Sequence, residues 1–301
     1  MRACEPIVEG HVDRDGVNLG YQVFGDGEPS ILLLPTWTVI HSRFWKLQVP
    51  YLARHYRVIT YDGPGNGRSD RPLEATPYHH SAQVANAQAV LDATGTSRAV
   101  VVGLSMAANW ALELAATDPD RVAGLVAICP SVALPAGRSP RSDHFAPLDP
   151  LPDLPPSAVP VGSRDPAAQW AKYNLEYWRK HHEDFLWFFF GQAFNEPHST
   201  KPIEDAVAWG LETTGEVLVA HHSPGAYPDE ATVRHWCGQV SAPALVMHGD
   251  IDQISPFARG RLLAELIDGQ LVVLEGSGHV PLARDPVRVN RALREFVERL
   301  T

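Results

Sequence analysis

Cysteine is scarce in this chain of 301 residues, and long apolar runs are missing. The 3 cysteines, Cys4, Cys129 and Cys237, are too few and too widely spaced for a disulfide framework or a metal-binding pair. No apolar run approaches the roughly 20 residues that a membrane-spanning helix needs, and the first residues lack the apolar stretch of a signal peptide. These absences predict a cytoplasmic protein without a membrane partner, and neither a metal nor another cofactor is expected.

Positive charge is also in short supply. Lys and Arg number 25 against 35 Asp and Glu, which gives a formal net charge of −10. An acidic chain repels the phosphate groups of nucleic acid, so we expect no nucleic-acid partner. Hydrophobic residues at 45% and charged residues at 20% are typical of a globular protein. The expected partner is therefore a small-molecule substrate, and homo-oligomerisation stays open.

Short apolar runs alternate with helical stretches at both ends of the chain, in 1–130 and 241–301. Strands are predicted at 7–12, 17–24, 30–34, 57–61, 99–103, 122–129, 244–248 and 270–275. Helices are predicted at 42–56, 82–93, 106–116, 256–267 and 286–300. This alternation predicts an α/β core whose mostly parallel sheet is covered by helices on both faces.

The alternation breaks at 131–240, after the sixth predicted strand. Residues 130–166 hold 10 of the 26 prolines, which excludes a regular helix there. Residues 168–236 hold 13 of the 26 aromatic residues in a pattern that looks helical. We predict that 131–240 form a cap inserted into the core, with 130–166 as a tether and 168–236 as aromatic-rich helices.

A serine stands where the fifth predicted strand turns into its helix. Gly103-Leu104-Ser105-Met106-Ala107 fits the pattern G-x-S-x-G, with Ala in the last position. Small residues on either side let strand and helix approach closely, so that the serine is presented on a sharp turn. The alternative is that the serine only caps the helix. A catalytic serine needs a general base and an orienting acid elsewhere in the chain.

Two later loops supply such partners. The loop after the seventh predicted strand carries Asp250 and Asp252, and the loop after the eighth carries Gly276-Ser277-Gly278-His279. Both loops follow carboxyl ends of strands, the edge at which open α/β sheets place their sites. The sequence therefore predicts Ser105 as nucleophile and His279 as general base.

These features together resemble the α/β-hydrolase-fold serine hydrolases, over residues 8–129 and 241–301. Asp62–Ser69 is similar to the family's D-x-R-G-x-G-x-S turn, with proline in place of its arginine. The resemblance implies that the triad acid is Asp252, in register with the family pattern G-x-x-D-x-x-x-P, and Asp250 is the alternative. It also implies that the segment between the sixth and seventh strands is a cap.

The resemblance further implies an oxyanion site formed by the backbone N–H groups of Trp37 and Met106. The family usually has His-Gly-x where this chain has Pro35-Thr36-Trp37. Either the Thr36 hydroxyl assists the oxyanion or a bound ligand, or the loop takes another path. Each well-placed oxyanion donor is worth roughly 3–4 kcal/mol in the transition state.

Aromatic residues of the predicted cap suggest an apolar roof over the nucleophile, suited to an aromatic or alkyl group. The alternative is that these aromatic residues merely bury the cap against the core and do not contact substrate. The candidate substrate-binding residues are Thr36, His41, Trp178 and Trp187.

The implied activity is hydrolysis of an ester, lactone or thioester of a small apolar or aromatic acyl compound through an acyl-enzyme. A cyclase, lyase or perhydrolase on the same triad stays open. A carbon–carbon bond hydrolase is disfavoured, because such enzymes usually carry Trp after the catalytic His and this chain has Val280. A catalytically silent binding protein is the remaining alternative.

Overall fold

The computed structural model of the chain describes residues 4–136 and 169–300, and its centre is a sheet of eight strands. The strands are β1 Val8–Arg14, β2 Val17–Phe24, β3 Ser30–Leu33, β4 Arg57–Tyr61, β5 Ala99–Leu104, β6 Val122–Ile128, β7 Ala244–Gly249 and β8 Gln270–Leu274. Their order across the sheet is β1-β2-β4-β3-β5-β6-β7-β8. The strands β1 and β2 pair antiparallel, β2 is antiparallel to β4, and the six strands β3 to β8 run parallel to one another. The predicted α/β class is confirmed.

The helices follow the strands in the order that the sequence predicts. They are α1 Val49–Leu52, α2 His80–Ala93, α3 Ala107–Thr117, α4 Leu175–Lys180, α5 His182–Ala193, α6 Thr200–Gly210, α7 Gly215–His221, α8 Glu230–Cys237, α9 Phe257–Leu266, α10 Pro281–Arg284 and α11 Pro286–Glu298. Helices α4 to α8 lie between β6 and β7 in the chain, and we call residues 169–240 the described insertion. None of the described helices is long and apolar enough to cross a membrane.

One predicted helix, 42–56, is wrong. The structure has a 3₁₀ helix over Ser42–Trp45 and then the short α1, with Pro50 in its first turn. A proline in the middle of a helix has no N–H to donate to the carbonyl four residues earlier, and its ring clashes with that carbonyl. A regular helix is therefore interrupted there.

The predicted tether lies outside the described residues from 137 onward, and the division into core and cap stays a prediction.

The central strands are buried on both faces. Every residue of β3, β5 and β7 is buried, as expected of parallel strands covered by helices on either side. Apart from Ser30 and His248, these strands read as continuous runs without polar residues, which is why the sequence locates them to within about a residue. Because the six parallel strands point the same way, the loops that follow β3, β5, β7 and β8 meet at one edge of the sheet.

A buried histidine ties the described insertion to the loop after β3. The ring of His221 stacks on Tyr78, with centroids 5.0 Å apart, and on Trp110, at 6.2 Å. Its Nδ1 forms a hydrogen bond with the hydroxyl of Thr38. Burial, with a smaller contribution from the neighbouring His222, lowers the pKa of His221 to about 3. The ring is therefore neutral at ordinary pH.

We expect His221 to make the free energy of unfolding fall as the pH drops from 6.5 to about 3. In this window the unfolded chain takes up a proton at His221, while the folded chain, whose pKa is lower, does not. The loss is about 1.4 kcal/mol for each pH unit. Urea denaturation of wild type and His221→Asn across the window measures it, and the variant should lack this part of the slope. His235→Asn, at an exposed position of α8, should keep it; equal slopes in all three proteins would contradict the assignment.

Candidate active site

Ser105 occupies the turn between β5 and α3. Its φ of +57° lies in the left-handed region that non-glycine residues rarely adopt, and its N–H donates to the carbonyl of Ile128 at 2.9 Å. A Cβ at Gly103 would lie 2.5 Å from the carbonyl oxygen of Ala107, so only glycine fits there. The close approach of strand and helix that the sequence motif predicts is therefore present, and it turns Ser105 toward the carboxyl edge of the sheet.

Three side chains meet at this edge in one chain of hydrogen bonds. His279 Nε2 lies 2.8 Å from Ser105 Oγ, and His279 Nδ1 lies 2.7 Å from Asp252 Oδ2. Asp252 comes from the loop after β7 and His279 from the loop after β8. In this arrangement the imidazole can take a proton from the hydroxyl while the carboxylate holds the other ring nitrogen. The structure thus brings together the three residues that the sequence predicts.

Asp252 is buried and its charge is well supported. Its Oδ1 accepts the N–H groups of Ile254 at 2.7 Å and Ser255 at 2.9 Å, and His248 Nε2 lies 3.2 Å from its Oδ2. Burial alone would raise the pKa of Asp252, but the charge and hydrogen bonds of His279 and His248 outweigh it and hold the pKa well below its usual range. The carboxylate is therefore ionised wherever His279 acts as a base.

Asp250, the alternative acid, lies elsewhere in the same loop. Its Oδ1 accepts the N–H of Gly276 at 2.7 Å, and its side chain is exposed. The contact closes the turn after β8 and does not reach the imidazole of His279. Of the two carboxylates, only Asp252 is therefore placed to orient the base.

The two predicted oxyanion donors have free N–H groups. Across residues 4–136 and 169–300, the backbone N–H of neither Trp37 nor Met106 donates a hydrogen bond. Both residues are buried, Trp37 in the loop after β3 and Met106 directly after Ser105. Two unpaired donors beside a nucleophile are what an oxyanion site requires.

The hydroxyl of Thr36 has a partner within the protein. It donates to the carbonyl of Leu104 at 2.9 Å and is buried. This hydrogen bond fastens the loop after β3 to the strand that presents Ser105, and a substrate-binding role for Thr36 stays a prediction. The side chain that replaces the family's glycine thus has a structural contact of its own.

Comparison with known proteins identifies the fold. A family model described as alpha/beta hydrolase fold matches residues 29–161. The solved structure of an esterase from Exiguobacterium antarcticum superposes with a TM-score of 0.78 over 97% of this chain and 100% of that one, at 18% identity. The strand order of the sheet, the serine at the turn after β5 and the family match together identify the fold. The chain has the α/β-hydrolase fold.

Some curated relatives match this chain over about a third of its length, and others match it over nearly the whole length. A protein named "Putative carbamate hydrolase RutD", from Caulobacter segnis, is 36% identical over 98 residues, which are 33% of this chain and 37% of that protein. The chain thus spans about two fifths of the length of such relatives. A 3-oxoadipate enol-lactonase from Acinetobacter baylyi is 25% identical over 288 residues, which are 94% of each chain.

The ring of Trp37 in the hydrolase is packed among aromatic side chains of the described insertion. Ring centroids lie 5.2 to 6.0 Å away for Tyr173, Trp178, Phe185 and Phe189. Trp178 is fully buried in this cluster, so the structure places it against the predicted oxyanion loop. Trp187 is 45% exposed, on the other face of α5. The structure therefore gives no support to a substrate-binding role for Trp187, which stays a prediction.

His41 of the hydrolase is buried, but it does not join the triad. Its ring lies 5.8 Å from that of Trp209, and its Nε2 lies 3.4 Å from a carboxylate oxygen of Glu212. Burial lowers the pKa of His41, although the charges of Asp62 and Glu212 partly oppose this. These contacts fasten the loop after β3 to the described insertion, so the structure gives no support to the prediction that His41 binds substrate.

An apolar cavity of about 230 Å³ lies between the described insertion and the loops after β3 and β8, and its wall does not include the triad side chains. Its wall includes Ile40, Phe44, Phe194, Trp209 and Val280, the last of which follows His279 directly. A cavity of about 150 Å³ is enough to hold benzene. This space is therefore large enough for an aromatic ring or a short alkyl chain.

Cys129, Asp252 and His279 are the described residues most able to hold a metal, since their ligand atoms lie within 4.8 Å of one another. A metal needs the thiolate form of cysteine. Burial, reinforced by the charge of Asp252, raises the pKa of Cys129 well above its usual value, and the thiol donates to the carbonyl of Gly278 at 3.7 Å. The donor set of the hydrolase therefore fits a hydrogen-bonded acid–base pair better than a metal site.

Sequence reasoning missed four residues around the triad. They are His248, beside Asp252; Ser131, whose hydroxyl lies 3.4 Å from that of Ser105; and Asn195 and Glu196, which contact the loops of the acid and the base. A polar residue inside the buried strand β7 was a usable signal for His248. The other three carried no local pattern.

Proposed function

We propose that this α/β-hydrolase is a serine hydrolase that cleaves an ester, lactone or thioester of a small apolar or aromatic acyl compound. The observation that carries the proposal is the unbroken chain of hydrogen bonds from Ser105 through His279 to Asp252. Ser105 Oγ attacks the acyl carbonyl carbon while His279 Nε2 takes the hydroxyl proton. Asp252 holds the imidazole in the tautomer with a free Nε2 and stabilises the imidazolium that forms.

The free N–H groups of Trp37 and Met106 support the next step of the proposal. They would donate to the negatively charged oxygen of the tetrahedral intermediate. His279 then gives its proton to the leaving group as the carbon–oxygen or carbon–sulfur bond breaks, which leaves the acyl group on Ser105. Water, deprotonated by His279, attacks the acyl-enzyme and releases the acid.

The proposed substrate class draws on the relatives and on the apolar surroundings. The names of the relatives share hydrolysis of esters, lactones or carbamates. The aromatic cluster around Trp37 and the cavity beside Val280 favour an apolar acyl or leaving group. A cytoplasmic location and the lack of a cofactor or nucleic-acid partner stay predictions from composition, and homo-oligomerisation stays open.

Reaction with a fluorophosphonate probe is the experiment that tests the proposal. Only a serine activated by a base reacts readily with such a probe. Labelling of the wild-type protein, followed by peptide mass spectrometry, should place one adduct on Ser105. A wild-type protein that stays unlabelled under conditions that label an ordinary esterase would favour a catalytically silent binding protein instead.

We expect larger acyl groups to be better substrates than acetate. Each buried methylene is worth about 0.8 kcal/mol, so kcat/KM for p-nitrophenyl hexanoate should exceed that for the acetate by roughly tenfold or more. Phe189→Ala should reduce this preference, because Phe189 packs on Trp37 with ring centroids 5.2 Å apart. Trp187→Ala, on the exposed face of the same helix, is the control and should keep it. A profile in which acetate is the best substrate would contradict an apolar acyl site.

A further inference from the structure

The residues at the end of α5, which we call the 193–196 segment, contact the loop that carries the triad histidine. The carbonyl of Ala193 accepts the N–H of His279 at 3.1 Å. Oε1 of Glu196 accepts the N–H of Gly278 at 2.7 Å. Two successive backbone N–H groups of the histidine loop are thus bound by the described insertion and not by the core.

The same segment contacts the loop that carries the triad acid. Asn195 Nδ2 donates to the carbonyl of Ile251 at 2.9 Å, one residue before Asp252. A Cβ at Gly278 would lie 2.2 Å from Asn195 Oδ1, so the side chain of Asn195 fits against the histidine loop only because that residue is glycine. One short segment therefore bridges both loops.

The histidine loop needs such support. Gly276 has a φ of +73°, and Gly278 follows two residues later. Two glycines give this loop more backbone freedom than two residues of any other type would. Glu196 is buried at 8% exposure, and Oε2 of its carboxyl group has no hydrogen-bond partner within the described residues. Burying a carboxyl group costs free energy unless it is well hydrogen-bonded. Among residues 4–136 and 169–300, the one hydrogen bond of this carboxyl group is the bond that Oε1 accepts from the N–H of Gly278.

We propose that Asn195 and Glu196 are positioning residues, which hold the loops of His279 and Asp252 in register so that the hydrogen bonds of the triad stay formed. The inference rests on the proposed function and adds to it. The described insertion then holds the triad loops in place, in addition to any role it has in covering the substrate.

Glu196→Ala and Asn195→Ala test the proposal in the full-length protein. We expect each to lower kcat for a p-nitrophenyl ester roughly 10- to 100-fold, because misplacement of a catalytic group by about 1 Å costs on the order of 10². KM should stay within about twofold, since neither side chain is proposed to contact substrate. Glu196→Gln keeps an oxygen acceptor for the N–H of Gly278 and should restore most of the lost kcat.

A matched control separates positioning from general stability. Asp229 is exposed and caps α8 in the same insertion by accepting the N–H of Thr232 at 2.8 Å, and among the described residues its side chain has no hydrogen bond to either triad loop. Asp229→Ala should lower the melting temperature, since a lost cap costs about 1 kcal/mol, while kcat is unchanged. Wild-type kcat in Glu196→Ala, or a loss that Gln does not restore and that Asp229→Ala reproduces, would overturn the proposal.

Amide hydrogen exchange makes the test independent of the reaction. Loop residues 276–279 should exchange faster in Glu196→Ala than in wild type or Asp229→Ala, because the acceptor of Gly278 is gone. This readout supports or overturns the positioning role even if the wild type neither hydrolyses esters nor reacts with fluorophosphonate, in which case the proposed function alone has failed. Unchanged exchange in Glu196→Ala would sink the inference.

Discussion

Ser105→Ala should lower kcat for p-nitrophenyl esters by roughly 10⁶ and abolish fluorophosphonate labelling. The hydroxyl is the only group removed, and its contacts are with His279 and Ser131, so the fold should be kept. Alanine also tolerates the φ of +57° no worse than serine does, because both carry a Cβ. Steady-state kinetics and probe labelling measure the effect, with circular dichroism to check folding.

Ser131→Ala is the matched control for this experiment, since its hydroxyl lies 3.4 Å from that of Ser105 and follows β6 instead of β5. It should keep labelling and turnover. Oxyanion donors and substrate binding alone leave a residual rate of roughly 10³–10⁴ over water. Turnover of Ser105→Ala far above this residual rate, or loss of the label in Ser131→Ala, would show that the nucleophile has been assigned wrongly.

Asp252→Asn should lower kcat by about 10⁴. Oδ1 of Asp252 is held by two backbone N–H groups, those of Ile254 and Ser255. The amide oxygen of the variant will take that place, so its NH₂ group will face His279 Nδ1 and favour the wrong imidazole tautomer. The measurement is kcat for a p-nitrophenyl ester at the pH optimum of the wild type.

Asp250→Asn provides the comparison, because its new amide oxygen can still accept the N–H of Gly276. We expect its kcat to stay within about threefold of wild type, as for most surface substitutions. If Asp250→Asn were the crippling change and Asp252→Asn nearly silent, the acid would have been placed two residues away from its true position.

The central strands were predictable because a strand buried on both faces is mostly apolar, as β5 is throughout and β7 is apart from His248. The triad was predictable for a related reason, since its members lie in the loops that follow β5, β7 and β8. The helix at 42–56 failed where a local rule, the effect of Pro50, was overlooked.

Contacts between distant parts of the chain left no such signal. Asn195 and Glu196 act on backbone groups of residues that lie more than 50 positions away, and a bond to a backbone N–H or carbonyl requires no particular partner residue. Helical spacing, by contrast, could have separated Trp187 from its neighbours. Phe185 and Phe189 are four residues apart and face the same side, whereas Trp187 lies between them on the opposite side.

The bridge from the end of α5 to both triad loops also limits how the enzyme can diversify. An insertion that only roofed the active site could be exchanged wholesale between relatives, and each exchange would bring a new specificity at constant catalytic power. Here the described insertion and the loops of the triad are joined through Ala193, Asn195 and Glu196. New specificities would then arise by changes within the inserted helices, while recombination that breaks the chain between α5 and α6 would yield folded but slow enzymes.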